Sequence, residues 1–191
     1  MKVVAFNGSP RKNGNTSIMI ETIFEELRKE GIDTELVQLG GNPVRGCSAC
    51  YLCRKNQNRR CAIDSDIING CLAKMFESDG VILASPTYVS DVTSEMKALI
   101  DRACVVARSN GNPMRHKVGA AISAVRRAGA IHAIDSMNHF FSITEMVTVG
   151  SNYWNLAVGR DVGEVKSDDE GMETMKILGQ NMAWLLKKID A

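Results

Sequence analysis

The sequence predicts an α/β protein built on a doubly wound, five-stranded parallel sheet with helices on both faces. Short, almost wholly apolar segments alternate with longer segments whose apolar residues recur at helical spacing. Such strands are typical of a parallel sheet that helices cover on both sides. The strand–helix pair recurs five times in 191 residues. This number of units matches the flavodoxin-like strand order 2-1-3-4-5.

Local patterns in residues 2–39 predict the first strand, the first helix and the second strand. Residues 2–6 are mostly apolar and end at the turn signal Asn7-Gly8-Ser9-Pro10. The next helix stops at Gly31, and residues 33–39 predict the second strand. The apolar stripe of the first helix is formed by Ile20, Ile23, Phe24 and Leu27.

The later elements continue this alternation. Apolar runs predict strands at 80–84, 118–125 and 146–149, and helical stripes predict helices at 64–78, 93–108 and 130–143, with a last helix that ends near Ile189. No repeat or linker divides the chain, so we expect a single domain over residues 1–191. Within it we expect a Cys-rich insertion loop at 40–62 and an irregular segment at 150–167.

Composition and charge argue against several classes of protein. The apolar fraction of 45% and the charged fraction of 24% are near the average for globular proteins. A formal net charge of +1 does not suit a protein that binds nucleic acid over its whole surface. No apolar run approaches the ~20 residues of a membrane span, and the first residues lack the apolar stretch of a signal peptide. We expect a cytoplasmic protein without nucleic-acid or membrane partners.

The six cysteines divide into four and two. Cys71 and Cys104 fall on apolar helical stripes, so we predict that they pack in the core. The other four form a C-x2-C-x2-C-x7-C pattern within residues 40–62, formed by Cys47, Cys50, Cys53 and Cys61. In a chain without a secretion signal, such a cluster indicates metal or redox chemistry rather than disulfides.

Four thiolates suit a soft metal centre. Three cysteines at consecutive x2 gaps are typical of ferredoxin-type cluster ligation, whereas structural zinc usually takes two well-separated C-x2-C pairs. A [4Fe–4S] cluster is therefore the leading interpretation. Zinc, and an empty, redox-active or vestigial set of thiols, stay open as alternatives.

The loop after the first strand, residues 8–17, predicts a phosphate site. It is rich in hydroxyl groups and opens a helix, where free N–H groups and the helix dipole favour an anion. Arg11 can pair with a phosphate through two hydrogen bonds. Neither the dinucleotide pattern G-x-G-x-x-G nor the nucleotide-hydrolase pattern G-x4-G-K-[ST] is present. A capped helix start is the alternative interpretation.

Three segments carry a resemblance to a known family. G-S-x-R-x-x-G-N-T after the first strand resembles the flavin phosphate loop of the NAD(P)H-dependent FMN reductase and multimeric flavodoxin group. Ser85-Pro86-Thr87-Tyr88, with Asp91-Val92-Thr93 and Lys97–Arg102 after it, is similar to the segment of that group whose loop lies against the isoalloxazine ring. The cysteine spacing resembles that of its iron–sulfur flavoprotein branch. The resemblance covers most of residues 1–125.

The resemblance implies an FMN site with residues from two loops. The phosphate would be held by the first loop, with the site residues Ser9, Arg11, Asn13, Gly14, Asn15, Thr16 and Ser17. The ring would lie beside the second loop, with the site residues Pro86, Thr87, Tyr88, Val89 and Asp91. A third loop at the same sheet edge adds Arg126 and Gly129, where a cation or N–H dipole would favour reduced flavin. Arg126 could equally be a surface charge. No residue stands out as a catalytic acid or base.

The resemblance therefore implies an FMN-dependent oxidoreductase that also holds a [4Fe–4S] cluster and passes electrons from a reduced donor to an acceptor. The donor and acceptor would be small molecules or proteins such as a ferredoxin, and the basic residues Arg54, Lys55, Arg59 and Arg60 could dock an acidic one. The first alternative is an NAD(P)H-dependent FMN or quinone reductase whose Cys loop is structural or vestigial. The second is a non-catalytic, zinc-containing binding module. The resemblance also implies a homo-oligomer, a dimer or tetramer.

Overall fold

The computed structural model describes residues 1–189, in which strands and helices alternate as predicted. The elements are β1 (Lys2–Asn7), α1 (Asn15–Lys29), β2 (Asp33–Gln38), α2 (Leu52–Asn56), α3 (Ile68–Glu77), β3 (Gly80–Pro86), α4 (Ser94–Ser109), β4 (Val118–Val125), α5 (Ala130–Ile143), β5 (Val147–Thr148), β6 (Leu156–Val158), a 3-10 helix (Glu164–Ser167) and α6 (Asp169–Ile189). None of these helices is long and apolar enough to cross a membrane.

The sheet has the predicted order β2-β1-β3-β4-β5, and all of its strand pairs are parallel. Within residues 1–189 the sheet has six strands rather than the predicted five. Two short strands share the last position, since β5 pairs with the start of β4 and β6 pairs with its end. Turn-forming residues Gly150-Ser151-Asn152 interrupt the run between them. A three-residue strand is too short to show a periodic apolar pattern. For this reason β6 lies in the segment that the sequence predicted to be irregular.

Two apolar layers cover the sheet. On β1, Val4 and Phe6 pack into one layer, with α3, α4 and α5, while Val3 and Ala5 pack into the other, with α1 and α6. The predicted core packing of Cys71 is confirmed, because its side chain is 1% exposed and burial raises the pKa of its thiol to about 11. Cys104 packs partly buried against the same layer.

The helix predicted from residue 64 begins at Ile68. The reason lies in Asp66, whose carboxylate accepts the backbone N–H of Ile68 at 3.1 Å and pairs with the buried guanidinium of Arg102 at 2.5 Å. A carboxylate used in this way holds residues 64–67 in a turn before the helix. The preceding loop contains the five-residue helix α2.

The carboxyl ends of β1, β3 and β4 bring the three predicted flavin loops to one edge of the sheet. The first loop is joined to β3 by a hydrogen bond from the N–H of Gly8 to the carbonyl of Ala84 (2.7 Å), and to the second loop by one from the hydroxyl of Thr93 to the carbonyl of Gly8 (3.0 Å). The second and third loops touch at Gly129, where an added Cβ would lie 2.6 Å from the Ser90 hydroxyl. In open α/β sheets, ligands bind at this edge.

Candidate functional site

A cavity of about 170 Å³ opens at this edge of the sheet. Eight residues predicted to bind the cofactor line it: Ser9, Arg11, Asn15, Thr16, Pro86, Thr87, Tyr88 and Arg126. The other predicted residues are not in its lining: Asn13, Gly14, Ser17, Val89, Asp91 and Gly129. A larger groove, between α1 and α6, is lined by lysine, glutamate, glutamine, alanine and tryptophan side chains and lies on a helical face away from all three loops.

The start of α1 provides donors for an anion at this cavity. The helix begins at Asn15, and no side chain caps it. The first N–H groups of a helix have no partner within it, so these groups can bind an anion. Asn15 itself is tied elsewhere, because its side-chain oxygen accepts the N–H of Gly163 at 2.8 Å. The uncapped start and the adjacent Arg11 fit the phosphate of FMN.

The conformation of the phosphate loop is fixed by residues that the sequence did not single out. The side-chain oxygen of Asn7 accepts the N–H of Ser9 at 3.0 Å, and its amide donates to Gln38 at 3.0 Å. The Gln38 amide in turn donates to the carbonyls of Ser9 (2.6 Å) and Gly40 (2.7 Å). A Cβ on Gly40 would lie 2.3 Å from the carbonyl oxygen of Gly8, so only glycine fits where the chain crosses this loop.

The second loop contains a tight, strained turn. Tyr88 and Asp91 exchange two backbone hydrogen bonds, of 2.8 and 3.0 Å. The two residues between them, Val89 and Ser90, have φ angles of 50° and 60°. A β-branched residue such as valine rarely adopts this left-handed conformation. The Val89 side chain is fully exposed, so packing does not offset the backbone strain. Strain of this kind clusters at functional sites.

Asp91 shapes this turn rather than facing the cavity. Its carboxylate accepts the hydroxyl of Ser136 and the N–H of Val92, each at 2.7 Å. The hydrogen bond from Ser136 is the main reason that the pKa of Asp91 lies below its usual value. Both bonds go to the same oxygen, Oδ1, and together they hold the loop in position.

The loop after β6 is a part of the cavity that the sequence analysis missed. Gly159 and Arg160 line it, and the guanidinium of Arg11 donates to the Arg160 carbonyl at 3.3 Å. With Arg126, three arginines therefore stand around one cavity, and their combined charge favours an anionic ligand. The only sequence signal was the short apolar run Leu156–Val158 just before this loop.

The four clustered cysteines line a second, small cavity. Its wall is completed by residues of α4, which include Arg102, Val105 and Val106. All four thiols are free, and they range from buried at Cys53 to exposed at Cys47 and Cys50. Within residues 1–189, no three His, Cys, Asp or Glu side chains converge closely enough to hold a single metal ion.

The Cys50 thiol ionises more readily than an ordinary cysteine thiol. The backbone N–H of Leu52 and the hydroxyl of Ser48 hydrogen-bond to it, and these bonds hold its pKa below the ordinary value for cysteine. Thiolate is the form that binds metals. Four free thiols around one cavity are the donor set that a [4Fe–4S] cluster takes, and its four irons meet the thiolates at separate corners rather than at one point.

Two side chains clamp the ends of the cysteine loop. Arg102 donates to the carbonyls of Arg45 (3.1 Å) and Ile63 (2.6 Å), which lie just before and just after the four cysteines. Asn69 accepts the N–H of Cys61 at 2.8 Å and donates to its carbonyl at 3.0 Å. The loop is therefore anchored to α3 and α4.

Comparison with known proteins identifies the family of the chain. The family model described as NADPH-dependent FMN reductase matches residues 1–161. An iron–sulfur flavoprotein of Methanocaldococcus jannaschii is 36% identical over 196 residues, which cover 99% of both chains. An iron–sulfur flavoprotein of Methanosarcina thermophila is 32% identical over 197 residues, 99% of this chain and 97% of the other.

A solved structure gives the same result for the fold. The flavodoxin WrbA-like protein of Agrobacterium tumefaciens superposes with a TM-score of 0.66 at 14% identity, covering 98% of this chain and 97% of the other. The strand order, the cavity at the sheet edge and the match over 161 residues lead to one conclusion. The chain is a flavin-dependent oxidoreductase of flavodoxin-like fold and belongs to the NADPH-dependent FMN reductase family.

Proposed function

We propose that this chain binds FMN at the sheet edge and a [4Fe–4S] cluster on Cys47, Cys50, Cys53 and Cys61, and that it passes electrons between a reduced donor, the cluster, the flavin and an acceptor. The observation that carries the proposal is the pair of cavities in one chain, one lined by cationic and hydroxyl groups and one by four free thiols. The names of the two archaeal relatives support it.

The protein's own residues would bind and orient both groups. The N–H groups at the start of α1, with Arg11 and Arg160, would neutralise the phosphate of FMN. Pro86, Thr87 and Tyr88 would lie beside the ring, and Arg126 would hold negative charge near it. When bound, FMN accepts two electrons and releases them singly, and the cluster carries one at a time.

No general acid or base is required of the side chains at the flavin cavity. The cavity lining contains arginine, hydroxyl, amide and apolar groups but no carboxylate and no histidine. Such a set binds and orients a ligand without taking up a proton from it. The tight turn from Tyr88 to Asp91 would then set how closely a substrate approaches the ring.

Metal and flavin analysis of anaerobically purified protein tests this function. We expect about four iron and four sulfide per chain, with one FMN. Replacing Cys50 with serine should abolish iron binding and leave FMN bound, because other loops build the flavin cavity. Cys71→Ser is the matched control and should keep both. Protein that binds FMN but no iron would contradict the cluster, and protein without FMN would contradict the whole proposal.

A second candidate is an NAD(P)H-dependent FMN or quinone reductase whose cysteine loop is structural. The description of the family model favours NADPH as the donor. In that case the Cys47→Ser and Cys50→Ser variants should oxidise NADPH at the wild-type rate. Under the leading proposal they should lose transfer to a one-electron acceptor.

The partners follow from charge and exposure. Arg54, Lys55 and Arg59 are exposed on the cysteine loop, where we propose that an acidic electron-transfer protein docks. Tyr153 and Trp154 lie between β5 and β6, and each side chain is about 60% exposed. We propose that they form a contact between copies of the chain. We also propose that each chain is a single domain. Sedimentation at several protein concentrations would show the oligomer.

A further inference from the structure

A buried arginine beside the cysteine cavity has one side-chain nitrogen without a hydrogen-bond partner among the described residues. Arg102 lies on α4 with its side chain 0% exposed, paired to Asp66, which is 2% exposed. Its terminal nitrogens donate to Asp66 and to the carbonyls of Arg45 and Ile63. The third nitrogen of the guanidinium, Nε, is buried and has no hydrogen-bond partner among the described residues.

An unpaired buried donor needs a reason. Leaving such a group without an acceptor is destabilising, and more so when the group is charged. Arg102 is also one of the residues that line the cavity of the four cysteines. The acceptors that would reach this cavity when it is loaded are the sulfur atoms of a cluster and its ligands.

We propose that the Nε–H of Arg102 donates a hydrogen bond to a sulfur atom of the bound cluster and thereby raises the reduction potential of that cluster. This inference rests on the proposed function. It assigns to Arg102 a binding role toward the cluster in addition to its role in clamping the loop.

The charge balance explains why the bond matters. A low-potential one-electron reductant adds one electron to the cluster, which becomes one unit more negative, and no bond forms or breaks and no proton moves. A donor that points at sulfur stabilises the more negative state more strongly, so reduction becomes more favourable. The positive charge of Arg102 is balanced by Asp66, which leaves the directed N–H as its main contribution.

The cations on the cysteine loop are exposed to water, unlike Arg102. Arg54, Lys55 and Arg59 are in water, where solvent and salt screen their charges. Arg60 is paired with Asp64 at 2.7 Å at the surface. Arg102 is the cation of this region that is shielded from water.

The Arg102→Lys variant keeps a positive charge opposite Asp66 but removes the Nε–H, together with part of the clamp on Arg45 and Ile63. Arg108→Lys, an exposed position on the same helix, is the matched control. The midpoint potential of the cluster is measured in anaerobic holoprotein by redox titration followed with electron paramagnetic resonance. We expect the equilibrium constant for reduction to fall at least tenfold in Arg102→Lys, about 59 mV toward negative potential. The control should not move.

A second measurement covers the case in which Arg102→Lys does not fold. Wild-type protein made with arginine labelled with ¹⁵N at Nε should show nitrogen hyperfine coupling to the reduced cluster in pulsed resonance spectra. Iron-loaded wild type without this coupling, or an unshifted midpoint in loaded Arg102→Lys, would overturn the inference and leave the proposed function intact. Wild type without iron would overturn both.

Discussion

The crossing of the chain over the phosphate loop makes Gly40→Ala a sharp test of the flavin site. A Cβ at this position would lie 2.3 Å from the oxygen of Gly8 and 2.4 Å from the carbonyl carbon of Ser9. Both neighbours are backbone atoms, so no side-chain rotation can relieve the overlap. Ordinary contact begins at 3.4 Å, and the loop must therefore move by about 1 Å.

Overpacking of this size costs about 1–3 kcal/mol. If the loop moves away to relieve the strain, FMN binding must bring it back, and the same energy appears as an increase of about 5- to 150-fold in Kd. Titrating the apoprotein with FMN and following the quenching of flavin fluorescence measures Kd. Thermal unfolding of the apoprotein shows whether strain remains in the fold.

Gly46→Ala is the matched control, because a Cβ there meets nothing within 4 Å. We expect it to leave both Kd and Tm unchanged. A Gly40→Ala protein with the Kd and Tm of the wild type would refute the reasoning, since the overlap would then have been absorbed without cost.

Four further predictions concern stability and reactivity. Asp66→Ala should cost about 3–5 kcal/mol in urea unfolding, because it leaves Arg102 buried without its partner; a loss below 1 kcal/mol would contradict this. Burial opposes ionisation of Asp66, but hydrogen bonds from Arg102 and from backbone N–H groups outweigh it and lower its pKa. Its contribution is therefore present above the unfolded pKa of about 3.9 and lost as the pH falls through the folded value, so acid unfolding should shift upward in Asp66→Asn. Val89→Asn should raise the free energy of unfolding by about 1 kcal/mol, because asparagine tolerates the left-handed conformation; an unchanged Tm would refute the strain. Cys71 should react with iodoacetamide only after unfolding, as mass spectrometry of the alkylated protein would show, and rapid labelling of the folded chain would contradict its burial.

Elements marked by local signals could be predicted closely. β4 and α5 begin and end at the predicted residues, because apolar runs bounded by turn residues define them. β6 and the loop that carries Arg160 could not be predicted, since a three-residue strand has no period of its own.

The candidate site divides in the same way. Residues that touch the cavity, such as Arg11 and Tyr88, stand in motifs that can be read along the chain. Gln38, by contrast, acts on Asn7 and Ser9, which lie 31 and 29 residues away in sequence. Contacts between residues so far apart in sequence form only after the sheet has formed, so no local sequence pattern predicts them.

One edge of the sheet is divided between the short strands β5 and β6, and this limits how chains can associate. An exposed edge strand offers a row of free backbone donors and acceptors that can recruit a strand from another molecule and begin aggregation. Here that margin consists of strands of two and three residues, each too short to serve as a template. The opposite margin, β2, carries Glu35, which forms ion pairs with Lys2 and Lys74. The margin of β5 and β6 thus resists intermolecular β-pairing, so any association of copies of the chain should not proceed by extending the sheet on that side.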